Sequence, residues 1–149
     1  MYKKVFQSHA KLLQVLANPK RLEILQLLRG HSLRVGEMSQ MLGLPQANLS
    51  QHLMVLRRFG VVATERQGKE IYYHIAHKNF IKAADLMRQV LFERLGGKTI
   101  KATEQLAIVT DPICGMRLTP ASATSSAQQA GKMFYFCGVG CEREFINKK

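Results

Sequence analysis

Apolar residues recur at helical spacing along most of the first hundred residues, and glycine and proline interrupt this pattern several times. Asn18 followed by Pro19 is a helix start signal, and Gly30, Gly43 and Gly60 each mark a helix end. The sequence therefore predicts five helices, at about residues 5–16, 19–29, 34–42, 45–59 and 78–95.

The spacing of the leucines predicts which side of each helix enters the core. Apolar positions three or four residues apart share one helix face and are expected to be buried together. In the second and fourth helices these positions are Leu22, Leu25, Leu28, Leu49, Leu53 and Leu56.

The period changes after Gly60, where residues 61–65 and 70–75 are predicted to be two short strands. The residues between them, 66–69, form a basic, glycine-containing tip. A helix, a turn containing Gly43, a second helix and then a hairpin are the ordered parts of a winged helix-turn-helix.

The fifth helix is unusually apolar for the last helix of so small a domain. Such a wide apolar surface predicts that the helix packs against a second subunit. The residues that form it are Phe80, Ile81, Ala84, Met87, Val90, Leu91 and Leu95.

The net charge of +12 is concentrated in the first part of the chain. Residues 1–98 hold 16 Lys and Arg against 6 Asp and Glu, which favours a polyanionic partner, although a solubilising surface is the alternative.

No apolar run is long enough to span a bilayer, so no membrane partner is expected. The N-terminus turns polar too soon for a secretory signal, and the protein is expected to be cytoplasmic.

The fourth helix is the predicted reader of DNA. With its leucines buried, its outward side carries polar residues, of which Asn and Gln can pair with adenine edges in the major groove. Arginine and lysine of this helix and the hairpin would contact phosphates. A polar helix face exposed to solvent is the alternative. The candidate DNA-binding residues are Gln46, Asn48, Ser50, Gln51, His52, Arg57, Arg58, Arg66 and Lys69.

Residues 8–95 resemble the ArsR/SmtB family of metal-responsive repressors. The resemblance lies in residues 16–25 (LANPKRLEIL), 49–57 (LSQHLMVLR) and 68–73 (GKEIYY). It implies a homodimer, formed through the first and fifth helices, that binds double-stranded operator DNA. It also implies repression that an effector relieves.

The effector sites of that family are not present in this sequence. Where the best-known thiolate site has cysteines in the third helix, this chain has residues 34–37 (RVGE). The last helix offers only Asp85 and Glu93 in place of a set of Asp, His and Glu. A sensor is therefore expected elsewhere in the chain.

Gly96 and Gly97 indicate the end of the first domain. We expect a DNA-binding and dimerisation domain at residues 1–97, a linker at 98–108 and a small domain at 109–149. In this tail, residues 119–130 are predicted to be a loop that leads into a hairpin, with the turn at Gly131, a strand at 132–137 and a helix at 138–147. The predicted fold class is mainly α with small β (α+β), with a winged helix-turn-helix followed by a cysteine-containing ββα-type domain.

All three cysteines of the chain lie in this tail, at Cys114, Cys137 and Cys141. Cys137 and Cys141 are four residues apart around a helix start, so both sulfurs can face one point, and the helix N-terminus is expected to favour their thiolate forms. Three thiolates suit Cu(I), Zn²⁺ or another soft ion. Residues 99–149 contain no histidine, so a fourth ligand would be Asp111, Met116, water or a group from elsewhere.

The tail also resembles the YHS/TRASH group of small metal-associated domains. The resemblance lies in residues 111–116 (DPICGM) and 134–137 (FYFC), with Cys141 and Phe145. It implies a role in heavy-metal handling.

These features predict a homodimeric repressor that releases DNA when a metal ion binds the three cysteines. Three alternatives remain open for the tail: a thiol sensor of oxidants or reactive sulfur species, a structural zinc site, and a metal-chaperone or protein-docking module. An enzyme is not expected, because the sequence has no phosphate-binding loop, no paired-carboxylate motif and no histidine near the cysteines.

Overall fold

A computed structural model describes residues 1–96, 104 and 106–148. The first part of the chain folds into five helices and one hairpin, which confirms the predicted winged helix-turn-helix. The elements are α1 (Tyr2–Leu16), α2 (Pro19–Leu27), α3 (Val35–Leu42), α4 (Gln46–Arg58), β1 (Val62–Gln67), β2 (Glu70–Ile75) and α5 (Asn79–Arg94).

The core of this part lies where α2, α3 and α4 meet. Leu25, Leu49, Leu53 and Leu56 are at most 1% exposed, as their spacing predicted. The prediction that Leu22 is buried is wrong, since this side chain is 42% exposed. Helix α2 buries Ile24, Leu25 and Leu27, and its C-cap residue Leu28 is buried as well. At 100° per residue, Leu22 points away from the stripe that these four residues form.

Strands β1 and β2 pair antiparallel, from Val62 opposite Ile75 to Gln67 opposite Glu70. Strand β2 has the predicted bounds, whereas β1 begins one residue later and ends two residues later than predicted, so Arg66 belongs to β1 and the turn is shorter than residues 66–69. Leu33 adds one further bridge, to Tyr73 of β2, and this bridge ties the segment before α3 to the hairpin.

The described part of the tail contains two antiparallel strand pairs, a 3₁₀ helix and an α-helix. Strands β3 (Val109–Thr110) and β4 (Arg117–Leu118) pair antiparallel, and a 3₁₀ helix covers Pro120–Ser122. A hairpin of β5 (Ser125–Gln129) and β6 (Lys132–Phe136) follows, and α6 (Val139–Asn147) ends the described chain.

The predicted hairpin with its turn at Gly131 is confirmed, but the prediction of a loop at residues 119–130 is wrong for the five residues of β5. Ser and Gln favour strands weakly, and pairing with the aromatic strand β6 decides the conformation instead. The turn at Ala130 and Gly131 has φ of +50° and +76°, the signs of a two-residue hairpin turn that usually contains Asn-Gly. Alanine at its first position hides that signal in the sequence.

A small aromatic core holds the tail together. Phe136 is fully buried, and the ring of Phe145 in α6 lies 5.3 Å from that of Phe136 and 4.8 Å from that of Phe134. Leu118 is also buried. Ile108 packs against the core of the first part, so the tail contacts the winged helix of its own chain.

Within the residues that the structure describes, no helix is long and apolar enough to cross a membrane.

Candidate nucleic-acid interface and thiol centre

Helix α4 presents its polar side to solvent because its three leucines enter the core. His52 is partly buried, and the other eight candidate residues are exposed: Gln46, Asn48, Ser50, Gln51, Arg57, Arg58, Arg66 and Lys69. Six of these eight lie on α4, and the other two lie in the hairpin. The predicted reading helix and the predicted phosphate contacts are thus all accessible on the molecule.

An open cavity of about 500 Å³ lies between α4 and the hairpin. Arg57 and Arg58 line it on the helix side, and Tyr73 lines it on the hairpin side. Met54 also lines it and is 62% exposed. Reasoning from the sequence missed Met54 and Tyr73, because it selected polar residues for this face and neither residue is charged or an amide.

The three cysteines come together at one end of the tail. Cys114 lies in the turn between β3 and β4, Cys137 directly follows β6, and Cys141 lies in the first turn of α6. The Sγ atoms of Cys114 and Cys137 are 3.5 Å apart, and those of Cys137 and Cys141 are 3.8 Å apart. With a carboxylate oxygen of Asp111, the three sulfurs form a group whose atoms all lie within 4.8 Å of one another.

Asp111 anchors the two loops that carry Cys114 and Cys137. Its Oδ1 accepts hydrogen bonds from the amides of Ile113 (2.8 Å) and Cys114 (3.3 Å), and its Oδ2 accepts one from the amide of Cys137 (2.8 Å). The side chain is 1% exposed. Burial opposes ionisation, but the hydrogen bonds from the Cys137 and Ile113 amides outweigh it and hold the pKa of Asp111 well below its ordinary value.

The sequence analysis predicted Asp111 only as one possible fourth ligand, and it missed that Asp111 anchors the two cysteine loops. An aspartate two residues before a turn can accept backbone hydrogen bonds from that turn, so a local signal exists for Ile113 and Cys114. The bond to the Cys137 amide spans 26 positions and has no such signal.

The expectation that the helix N-terminus favours thiolates is wrong for the site without an ion. The hydrogen bond with the Cys114 thiol and the neighbouring Asp111 carboxylate raise the pKa of Cys137 to about 12. Burial raises the pKa of Cys141, and Asp111 adds to that shift. Negative charge that is already present on Asp111 disfavours more negative charge beside it.

The donor set fits a soft metal ion. Two thiolates on one ion, each at about 2.3 Å from it, can lie up to about 4.6 Å apart, and both measured sulfur distances are within this limit. Three sulfurs suit Cu(I) or Zn²⁺, and the Asp111 carboxylate is within reach as a fourth ligand. Binding would displace thiol protons, so the affinity of the site for a cation would fall at low pH.

Comparison with known proteins places the first part of the chain among bacterial regulators. The model of the bacterial regulatory protein family arsR matches residues 18–64. An uncharacterised HTH-type transcriptional regulator of Mycobacterium tuberculosis is 41% identical over 88 residues, which are 58% of this chain and 77% of that protein. The transcriptional activator HlyU of Vibrio cholerae is 38% identical over 79 residues, which are 53% of this chain and 73% of that protein.

A solved structure agrees with this assignment. The homodimeric winged helix-turn-helix DNA-binding domain from Mycobacterium bovis matches with a TM-score of 0.58 and 29% identity, over 62% of this chain and 86% of that one. The family match ends at residue 64, before the first cysteine at Cys114.

Proposed function

The chain belongs to the arsR family of bacterial regulatory proteins, and from this premise we propose that it is a homodimeric repressor whose tail senses a metal ion. The family and the relatives named above are DNA-binding transcriptional regulators rather than enzymes.

Operator binding is assigned to α4 and the hairpin. Asn48 and Gln51 are exposed on α4 and carry the amide groups that pair with adenine edges in the major groove. Arg57, Arg66 and Lys69 are exposed beside them and would neutralise phosphates without reading sequence. The exposed Met54 would add an apolar contact, for which a thymine methyl group is the suitable partner.

Dimerisation is assigned to α1 and α5. Both helices carry large apolar side chains that stay exposed in the single chain, among them Phe6 (65%), Met87 (71%) and Leu91 (50%). A second copy would cover these side chains, and the homodimeric M. bovis domain is an example of such an assembly on the same fold. A dimer also suits an operator with two similar half-sites.

The sensor is assigned to Cys114, Cys137 and Cys141, in a tail of the YHS/TRASH type at residues 109–149. The observation that carries this assignment is the convergence of three cysteines and Asp111 within 4.8 Å, although 22 residues separate the first two cysteines. Cu(I) and Zn²⁺ are the ions that this donor set favours. The ion relieves repression only if it binds more tightly to the DNA-free form than to the DNA-bound form.

The test is the operator affinity of the fully reduced protein, measured anaerobically in the presence of Cu(I), Zn²⁺ or As(III). We expect one ion to weaken operator binding by about 5- to 150-fold, the usual range of allosteric coupling. Cys137→Ser should abolish the response and leave the affinity of the ion-free protein unchanged. An unchanged operator affinity with every ion, while the ion is bound, would contradict metal sensing.

A thiol sensor of oxidants or reactive sulfur species is the second candidate. The 3.5 Å separation of the Cys114 and Cys137 sulfurs favours it, because a resolving thiol already lies beside the first one. Mass spectrometry of protein released from DNA separates the two functions. A metal sensor responds without covalent change, whereas a redox sensor shows a disulfide or persulfide.

A further inference from the structure

Arg117 connects the thiol tail to the DNA-binding part of the same chain. Its Nη2 lies 2.8 Å from Oε1 of Glu37 in α3 and donates a longer hydrogen bond, of 3.4 Å, to the carbonyl of Ser32. The side chain of Glu37 is 18% exposed, so this ion pair is partly shielded from solvent. The 3₁₀ helix that follows β4 also packs against α3.

Glu37 is bound to the start of α3 as well. Its second oxygen, Oε2, accepts a hydrogen bond of 3.0 Å from the amide of Arg34, the residue that caps the helix. Burial disfavours ionisation of Glu37, but the bonds from Arg34 and Arg117 lower its pKa below the ordinary value. The carboxylate is therefore charged at neutral pH, and both of its oxygens have partners.

The second contact of Arg117 reaches the hairpin. Ser32 directly precedes Leu33, whose amide and carbonyl exchange hydrogen bonds with Tyr73 of β2 at 3.0 and 2.8 Å. Leu33 is fully buried, so this bridge is well shielded. Arg117 thus touches the junction where α3, which packs on the reading helix α4, meets the hairpin.

At its other end, Arg117 belongs to the turn that presents Cys114. The carbonyl of Asp111 accepts a hydrogen bond from the amide of Gly115 (2.9 Å), and the amide of Asp111 donates one to the carbonyl of Met116 (2.9 Å). Gly115 adopts φ of +75°, which glycine reaches without strain. These bonds make residues 111–117 a single short unit, in which Cys114 and Arg117 cannot move independently over any large distance.

We propose that Arg117 is the positioning residue through which occupancy of the thiol centre reaches α3 and the hairpin. This inference rests on the proposed metal-sensing function and names the contact that would connect the ion site to the DNA-binding elements. The close thiol cluster and the Arg117–Glu37 contact occur together in one conformation, so an ion held by the thiols favours that conformation. The docked conformation then holds α3 and the hairpin in an arrangement that binds the operator less well.

Arg117→Gln and Glu37→Gln test the route without removing other functions. Glutamine at position 37 can still accept the Arg34 amide bond, so the cap of α3 is kept while the ion pair is lost. Arg117→Lys keeps the charge but replaces the planar guanidinium with a compact ammonium on a shorter side chain. Arg143→Gln is the matched control, since it removes an exposed arginine from the same tail.

Operator affinity is measured for each variant with and without saturating Zn²⁺ and Cu(I), and ion affinity is measured by direct titration. We expect the ratio of the two operator dissociation constants to fall from about 5–150 in the parent protein to about 1–2 in both glutamine variants. Arg117→Lys should keep an intermediate ratio, and Arg143→Gln the full one. The double variant should lose no more than Arg117→Gln alone, because Arg117→Gln already removes the contact with Glu37 together with the hydrogen bond to Ser32.

The outcomes separate this inference from the function on which it rests. If the parent protein binds an ion but its operator affinity does not respond, metal sensing itself fails. If the parent responds and Arg117→Gln and Glu37→Gln respond equally well, sensing stands and the route through Arg117 is wrong. A variant that loses the response together with ion binding would also overturn the route, since the ion site would then depend on Arg117.

Discussion

At the scale of single residues, the buried Asp111 carboxylate holds together the two loops that carry Cys114 and Cys137. Three backbone amides, from Ile113, Cys114 and Cys137, donate to its two oxygens, so it fixes both cysteine loops at once. The hydrogen bond with the Cys114 thiol and the negative charge of Asp111 raise the pKa of Cys137 and keep that thiol protonated in the absence of an ion. A cation among the three sulfurs would relieve the repulsion between the Asp111 carboxylate and the thiolates. We therefore expect the thiols to lose their protons when an ion binds and to regain them when the ion leaves.

The depressed pKa of Asp111 predicts how the stability of the ion-free tail depends on pH. A carboxyl whose pKa is lower in the folded state stabilises the fold above its unfolded pKa of about 3.9, and this stabilisation is lost as the pH falls further. We expect Asp111→Asn to lower the free energy of unfolding by about 1–3 kcal/mol at pH 7 and by less at pH 3. Urea unfolding of the chelator-treated protein at both pH values measures the difference.

Glu144→Gln is the control for that experiment. Glu144 pairs with Lys148 at 2.8 Å on the exposed side of α6, where an ion pair contributes little. A deficit of Asp111→Asn that is equal at pH 3 and pH 7 would show that its effect comes from the loss of a hydrogen-bond acceptor and not from the loss of the charge.

The polar residues of α4 and the arginine of the hairpin are expected to affect DNA binding differently. Gln51→Ala should weaken operator binding by about 1–3 kcal/mol and leave binding to unrelated DNA unchanged, because an amide reads base edges. Arg66→Ala should weaken binding to both DNAs and reduce the salt slope by about one per protomer. Fluorescence anisotropy across a salt series measures both quantities.

Gln128 and Arg143 are exposed in the tail, and their alanine variants provide matched controls for Gln51 and Arg66. Equal losses on operator and unrelated DNA for Gln51→Ala would contradict its assignment as a reading residue.

At the scale of elements, α5 is attached to the core by Phe80, Ile81 and Ala84 and by a polar contact, while Met87, Val90, Leu91 and Leu95 remain exposed. Part of the apolar surface that was predicted to pack against a second subunit therefore packs on the core of its own chain. Arg29 of the α2–α3 connection donates to Asp85 of α5 at 2.9 Å, and Arg88 of α5 donates to Gln26 of α2 at 3.1 Å. The hydrogen bond from Arg29 lowers the pKa of Asp85. Leu91, on the same helix, is 50% exposed.

The exposed apolar face of α5 predicts a dimer that a single charge can disrupt. Leu91→Glu should convert the dimer into monomer at micromolar concentration, because a carboxylate would be buried without a partner in the interface. Ile146→Glu, at a site that is 48% exposed compared with 50% for Leu91, is the control and should remain dimeric. Sedimentation equilibrium measures the mass, and a dimeric Leu91→Glu protein would place the interface elsewhere.

At the scale of the whole molecule, charge and chemistry are divided between two parts of the chain. Residues 1–98 carry 16 basic and 6 acidic side chains, whereas residues 99–149 carry 6 and 4 together with all three cysteines. The basic residues 1–98 therefore suit a polyanion, whereas the cysteines of residues 99–149 suit a cation. Ile108 and Arg117 place the second part against the first.

Removal of residues 99–149 is expected to separate the two activities. The shortened chain should keep operator binding within several-fold, because it retains α4, the hairpin and most of the positive charge. It should lose the response to metal ions, because it has no cysteine. Retention of an ion response would instead make the tail a chaperone or docking module, and loss of DNA binding would make it a structural part of the winged helix.

The helices were predictable because their signals are local. Asn18 accepts a hydrogen bond from the amide of Arg21 at the start of α2, as its position before Pro19 indicated. Gly43 adopts φ of +61° after α3, the conformation that glycine supplies at a helix end. The five-helix order and the hairpin followed from such signals, and from the buried leucines of α4.

Errors arose where neighbours in space, rather than in sequence, decide the conformation. Leu22 has an apolar side chain but is exposed, because Ile24 and Leu25 take the buried side of α2. Residues 125–129 have weak strand propensity but form β5, because β6 provides hydrogen-bond partners and aromatic contacts.

The sequence by itself determined the winged helix-turn-helix, the basic character of the first part and the presence of all three thiols in the tail. Helix periodicity, caps and charge are properties of residues close together in the chain, so no long-range contact is needed to recognise them. Only the tertiary structure decided that Cys114 meets Cys137 and that Arg117 reaches Glu37. These contacts join residues 23 and 80 positions apart, and they depend on how the intervening elements pack, which residue type and spacing do not specify.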